Sequence, residues 1–355
     1  MKKYFPLFWV FYLLCAFSAH AGEGRYTIPL TGGGWSLWLD KEASWQNDRL
    51  YLPHEITDLS LLPVNVPTGG WQTLSHNPDA VPVEVPGTVE EYLTVTDNPR
   101  PENFRGVSWW YRKITIPADQ QKKRFIIYFE SVRMRAEVYL DGKLVAYDLI
   151  GETPFHVDIT DEAKPGTEQL LAVRVTNPGG NFHWQDFDIM KWGEYNIPPS
   201  RSFTGIIGRV KLESVNPVFI SDIYMQNTPE LTKVNAILSF TNETSSSVKQ
   251  DVELIVNEKG NPDKVVFRQT LKAISFPAGN HEVTIPVNVP DAKLWDLSTP
   301  ELYTCNVLIK KGKKTLDQDK KDFGFRWFTV DGVGKDAVLR LNGRRIMLRS
   351  AISWG

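Results

Sequence analysis

The sequence predicts an all-β protein built as two successive β-sandwiches, and three observations carry that reading. From Gly22 to about Asn216 the apolar residues come in short runs broken by Pro and Gly, with no sustained helical period. Asp141-Gly142 and Asn342-Gly343 each separate two strand-like runs, and these dipeptides suit a two-residue turn with positive φ at both positions. From about Pro217 tryptophan becomes sparse, and alternating runs recur roughly every ten to fifteen residues.

At the N-terminus, Met1-Lys2-Lys3 is a positive n-region, Leu7–Phe17 an unbroken apolar run, and Ala19-His20-Ala21 a small-x-small cleavage site. Residues 1–21 therefore read as a secretory signal peptide, too short to span a membrane, and the protein as exported to the periplasm or beyond. Cleavage removes Lys2 and Lys3 from the 40 basic residues and none of the 42 acidic ones, moving the net charge from −2 to −4. That balance argues against nucleic-acid and acidic-membrane partners. Cleavage also removes Cys15, leaving Cys305 alone, so no internal disulfide is expected and the cores must hold the fold. Six scattered His give no metal-ligand spacing, and no phosphate loop, dinucleotide fingerprint or Gly-x-Ser-x-Gly elbow is present. Neither a cofactor nor a metal is expected.

Residues 22–216 form the first domain in this reading. Arg124–Phe129 is a strand, and Glu137–Leu140 with Lys143–Tyr147 is a hairpin. Gln169–Thr176 alternates, with Leu171, Val173 and Val175 on one face and Arg174 and Thr176 on the other. Val210 and Leu212 mark a closing strand. Trp109, Trp110 and Tyr111 alternate across a strand, one face for the core and the other for solvent or a neighbour. Gly205 and Gly208 suit a bend of positive φ or close backbone approach. Short strands with long loops between them describe a sandwich or jelly roll.

Residues 217–328 form the second domain. Alternating strands appear at Val234–Phe240, Asp251–Val256, Val265–Phe276, His281–Val289 and Leu302–Ile309, and their spacing reads as a seven-strand immunoglobulin-like sandwich without the cysteine pair. Lys310–Asp322 reads as a solvated hairpin tip and Phe323–Val330 as the closing strand. Residues 329–355 add a hairpin, Ala337–Leu341 and Arg344–Leu348, and then an apolar run, Arg349–Gly355. Ala337–Gly355 is expected to be poorly anchored.

One loop stands apart. Asn177 to Arg201 is long, aromatic and polar together. Sugars are held by an aromatic face against ring C–H groups and by planar polar groups that fork hydroxyls. Trp184 with Asp186, and Trp192 with Arg201, offer that pairing. The alternative is an ordered loop that packs without touching sugar.

The phrases of the chain resemble glycoside hydrolase family 2, the β-galactosidases, β-glucuronidases and β-mannosidases. Six stand in order in the first domain: Trp35–Asp40, Val83–Gly87, Gly106–Arg112, Glu137–Gly142, Pro154–Thr160 and Ser200–Val210. Leu294–Tyr303, Phe323-Gly324-Phe325-Arg326, Leu341-Asn342-Gly343 and Arg349 continue the series. Ser350, Ile352 and Trp354 depart from it, standing where many members show Gly, Asn and His. The resemblance implies a sugar-binding-like jelly roll, an immunoglobulin-like sandwich and, in 329–355, the hairpin and truncated first strand of a (β/α)8 barrel. It also implies retaining hydrolysis by two barrel carboxylates lying beyond Gly355, so Glu194 and Asp186 are not catalysts and this chain alone is expected to be inactive. The implied partners are a carbohydrate with a terminal β-linked sugar, the chain's own barrel and, as one option, a second copy in a homo-oligomer. Substrate-binding residues are expected at Trp184, Asp186 and Arg201. β-Galactoside is the first expected substrate and β-glucuronide the second. A stand-alone carbohydrate-binding or adhesion module is the other reading, and a structural surface protein a third.

Overall fold

The computed structural model describes residues 24–44, 58–93, 104, 106–151, 153–177 and 203–349. The larger sheet of the first sandwich has six antiparallel strands. In spatial order they are β3 (Val81–Val85), β2 (Gly32–Asp40), β4 (Gly106–Thr115), β9 (Glu168–Asn177), β6 (Arg135–Leu140) and β7 (Lys143–Asp148). The smaller sheet runs β1 (Tyr26–Pro29), β10 (Val210–Val215), β5 (Arg124–Phe129) and β8 (Phe155–Asp158). The chain crosses repeatedly between the two sheets, as in a jelly roll. Alternation places Phe125, Ile127 and Phe129 of β5 inward, where they meet Trp110, Val138 and Val173 of the larger sheet.

Strand β4 is buried on both faces. Trp110 enters the inter-sheet core, whereas Trp109 and Tyr111 point to the opposite face. The sequence left that face to solvent or a neighbour. It is instead covered from within the domain by Leu62, Trp71 and Leu74, with the Trp71 and Trp109 rings 5.6 Å apart, edge to face. At ~200 Å² per ring and ~25 cal/mol/Å², each buried tryptophan gains roughly 5 kcal/mol before conformational costs. Both indole N–H groups donate, Trp109 to Asp40 Oδ2 at 3.1 Å and Trp110 to Ser108 Oγ at 3.2 Å.

The second sandwich has seven strands. The order β11 (Val218–Asn227), β12 (Lys233–Asn242), β15 (Gly279–Asn288) faces β14 (Asn261–Phe276), β13 (Val248–Glu258), β16 (Tyr303–Lys311), β17 (Lys314–Phe323). β12 buries every second residue, bringing Val234, Ala236, Leu238 and Phe240 onto Val252, Leu254, Val307 and Ile309. Cys305 lies in this core, and burial pushes its thiol up to about 12, which leaves it unreactive.

Two expectations for this region are corrected. Lys310–Asp322 is no solvated tip: the turn is confined to Gly312-Lys313, and β17 runs ten residues with Asp317 fully buried. Phe323–Val330 is not one strand either. The chain leaves the sandwich at Gly324, whose added Cβ would stand 2.8 Å from the Trp295 Cβ. Phe325 then turns into the core against Tyr303, 5.0 Å between centroids. A separate three-stranded sheet follows, β18 (Phe328–Asp331), β19 (Val338–Leu341) and β20 (Arg344–Arg345). Its turn has φ of 51° at Asn342 and 77° at Gly343, as the dipeptide predicts.

This hairpin is also better anchored than expected. Asn342 donates its N–H to Trp327 O (2.8 Å) and its amide to Trp295 O (2.9 Å), and accepts from Trp327 N–H (2.9 Å). Beyond it Met347 and Leu348 are exposed, as are Phe328, Val330 and Val333.

The sandwiches meet at Arg25. Its guanidinium forks Asp317 at 3.1 and 3.0 Å, reaches Glu213 Oε2 at 3.0 Å and donates to Ile220 O. Burial works against this charge, but Asp317, Glu213 and Asp319 outweigh it and raise the arginine pKa further.

Candidate functional site

Trp184, Asp186 and Arg201, with Trp192 and Glu194, lie outside the described residues. The structure describes the residues from which their loop departs and to which it returns, Asn177 and Phe203. Both ends meet at one carboxylate. Glu90, in the single-turn helix α2 (Val89–Tyr92), accepts from Phe104 N–H through Oε1 and from Thr204 N–H through Oε2, each at 3.1 Å. Asn177 donates its side-chain amide to Phe104 O at 2.7 Å, tying the end of β9 to the same point. Thr88 caps the helix by accepting from Glu91 N–H at 3.1 Å.

From the other side, Arg133 and Gly205 exchange two backbone hydrogen bonds of 2.8 Å, and Thr204 Oγ1 donates to Arg133 O. The Arg133 guanidinium lies 4.5 Å above the Phe203 ring. The close approach expected of the two glycines is present. A Cβ at Gly205 would meet Gly87 O at 2.3 Å, and one at Gly208 would meet Ser131 N at 2.5 Å.

Burial raises the Glu90 carboxyl above the ordinary glutamate value, and its backbone N–H bonds oppose this without cancelling it. A carboxyl raised on folding contributes stability that is complete below its unfolded pKa and is lost as pH climbs through the folded one. Glu90→Gln does not titrate. The thermal stability of the natural protein should therefore fall relative to that variant as pH rises above ~4.5 toward neutrality. Melting curves across that range check this, and a constant difference would refute it.

A second cluster lies on the outward face of β6 and β9, in register. Arg135 faces Thr176 and Glu137 faces Arg174. The Glu137 carboxylate takes Arg135 and Arg174, each at 3.1 Å, the Asn65 amide at 2.9 Å and the Tyr139 hydroxyl at 2.8 Å. Arg135, Glu137 and Arg174 are all buried. The alternation of Gln169–Thr176 already set Arg174 and Thr176 on this face, but not the partners they meet on β6. The available signal was opposite charges at positions facing each other once β6 and β9 pair. These carboxylates, Glu90 and Glu137, are engaged by backbone N–H and arginine, so their chemistry is to hold strands and loop roots in place.

The chain is thus a β protein of two successive sandwiches, the first with jelly-roll crossings between its sheets. Residues 33–197 match the model of the glycosyl hydrolases family 2 sugar binding domain, and residues 218–326 match the glycosyl hydrolases family 2 model. The chain belongs to glycosyl hydrolases family 2. It is 26% identical over 264 residues to a β-glucuronidase of Formosa agariphila, covering 71% of this chain and 26% of that one. A putative β-glucuronidase of the same organism is 26% identical over 336 residues, 91% of this chain and 36% of that one. A β-galactosidase of Thermoanaerobacter pseudethanolicus is 27% identical over 249 residues, 70% of this chain and 32% of that one. The structure of a β-glucuronidase from glycoside hydrolase family 2 superposes with a TM-score of 0.65 at 22% identity, over 92% of this chain and 33% of that chain. The chain thus spans about a quarter to a third of these curated relatives.

Proposed function

We propose that this chain is the non-catalytic N-terminal portion of an exported retaining β-glycosidase. The observation that supports the reading is that the first sandwich matches the sugar binding domain model of glycosyl hydrolases family 2 and the second matches the family's other model. Retaining hydrolysis needs two carboxylates about 5–5.5 Å apart. Glu90, Glu137, Glu213 and Asp317 are instead bound to backbone N–H groups or arginines. The exposed apolar residues of β18 and the segment after β20 suit a covering barrel domain. β-Glucuronide becomes the preferred substrate and β-galactoside the second, because a relative aligned over 91% of this chain is named a putative β-glucuronidase. Export rests on residues 1–21, whose n-region, apolar run and cleavage site remain the support for it.

In this reading Trp184, Asp186 and Arg201 contact the terminal sugar from the first domain. The test is turnover of aryl β-glucuronide and aryl β-galactoside by this chain and by the complete gene product. This chain should be silent. The complete enzyme should prefer the glucuronide, and Trp184→Ala, Asp186→Asn and Arg201→Ala should each cost ~1–3 kcal/mol in kcat/KM with little change in Tm. Turnover by this chain that an Asp or Glu substitution within 22–328 abolishes would overturn the proposal. Wild-type kinetics in all three variants would remove the loop from the site. A stand-alone binding module is the second reading, marked by glycan binding with no hydrolysis by the complete gene product.

A further inference from the structure

The junction between the sandwiches is open as well as bridged. Two cavities of about 550 and 720 Å³ lie there, each within the range of ligand pockets. Both are lined by Arg25, Thr27, Lys211, Glu213, Asp319 and Lys320, so they adjoin each other at the Arg25 bridge.

One wall is the outer face of the smaller sheet. The register β1–β10–β5–β8 aligns Pro29, Lys211, Tyr128 and His156 in a single row across four strands. The Tyr128 and His156 rings lie 5.2 Å apart with planes inclined at 55°, and the Lys211 ammonium stands 5.4 Å from the Tyr128 ring. Such a surface offers aromatic faces beside a cation that Glu213 also holds at 2.7 Å. The second sandwich contributes Ser221, Asp222, Lys320 and Lys321 to the cavity beside these rings, while the amides of Asn257, Asn306 and Gln318 and the guanidinium of Arg268 line the adjoining one. Amides and guanidinium fork vicinal hydroxyls or a carboxylate, while aromatic faces take the C–H side of a pyranose.

The charge of the lining is one-sided. Glu213 and Asp319 already face Arg25, which leaves Asp222 as the acid outside that bridge. Lys320 and Lys321 make no salt bridge among the described residues, though the Lys320 charge also acts on Asp322 through space. Arg209 and Arg268 pair with Glu130 and Glu253, which do not line the cleft.

We infer that this inter-sandwich cleft is a binding groove for an acidic oligosaccharide, with a sugar ring on Tyr128 and His156 and uronate carboxylates toward Lys320 and Lys321. The groove would hold the polymer away from the bond being cleaved, and it does not depend on which glycoside the enzyme hydrolyses. Binding measured by calorimetry on this chain tests it, with oligogalacturonate as the acidic probe and cello-oligosaccharide and inorganic sulfate as comparisons. Oligogalacturonate should bind, weaken with added salt, and lose about tenfold in affinity in the double variant Lys320→Glu/Lys321→Glu. His156→Ala, which removes an exposed ring, should cause a loss of similar direction while Tm holds. Cello-oligosaccharide binding as tightly as oligogalacturonate would overturn the inference. So would affinity unchanged in both variants, or a loss confined to the lysine variant with sulfate competing at equal concentration, which would mark a bare cationic surface.

Discussion

Arg25→Met should destabilise the protein by ~3–5 kcal/mol, read as a fall in Tm and as separation of the two sandwiches into distinct unfolding steps. The Asp317 side chain has no solvent exposure and that of Arg25 is 8% exposed. Removing the guanidinium strands a fully buried carboxylate whose remaining hydrogen bond is the Ile220 N–H at 2.7 Å, with Lys123 acting on it only through space. Most of the expected cost is that orphaned charge, because the intact pair does little more than offset its own desolvation. Arg25→Met combined with Asp317→Leu should accordingly recover much of the loss. Lys233→Met breaks an exposed pair with Glu230 and should shift stability by less than ~1 kcal/mol. An unchanged Tm in Arg25→Met would show that the junction is held by other contacts, such as Asn216 to Leu316 O and Lys123 to Gly24 O.

Why that bridge escaped the sequence is a matter of distance and context. Arg25 reaches Glu213 and Asp317 across 188 and 292 residues, so no local pattern joins them. Asp317 sits in a run, Lys310–Asp322, whose polar composition reads as solvated. The strand's alternation turns this one position inward against β11, and Arg25 makes that burial tolerable. By contrast β5 and β12 were legible because one face of each meets a single core, and period-two burial follows directly. Asp141-Gly142 and Asn342-Gly343 were legible because positive φ is a demand of the backbone itself, met at 48°, 84°, 51° and 77°.

The second face of β4 was illegible for the opposite reason. Its cover comes from residues 58–80, a segment of short turns with no hydrophobic period to announce a packing face. The candidate site divides in the same way. Aromatic and polar residues flagged Asn177–Arg201 as a sugar-contacting loop, yet the Glu90 carboxylate at its roots was invisible. It reads as a polar residue of the short Val-Glu-Glu-Tyr run until Phe104 and Thr204 are brought to it.

Glu137→Ala is the second large effect expected, again ~3–5 kcal/mol, because two buried arginines lose the carboxylate they share. Arg135 and Arg174 would keep Thr176 Oγ1 at 3.2 and 3.0 Å, and Arg174 would keep Ser44 O at 3.0 Å, but these neutral acceptors do not balance charge. The Tyr139 hydroxyl would lose its acceptor and the Asn65 amide its partner, unpinning the segment that covers Trp109. Glu137→Gln separates charge from shape: it retains one acceptor oxygen and the side-chain volume but takes away the negative charge that Arg135 and Arg174 share. Its stability should fall closer to that of alanine than to wild type. The decisive measurement is chemical denaturation of both variants, followed by near-ultraviolet circular dichroism of the buried tryptophans. If glutamine matched wild type, the cluster would be a hydrogen-bonded network indifferent to charge. If both variants unfolded at the wild-type midpoint, the arginines would be finding water, and the outer face of β6 and β9 would be open rather than sealed.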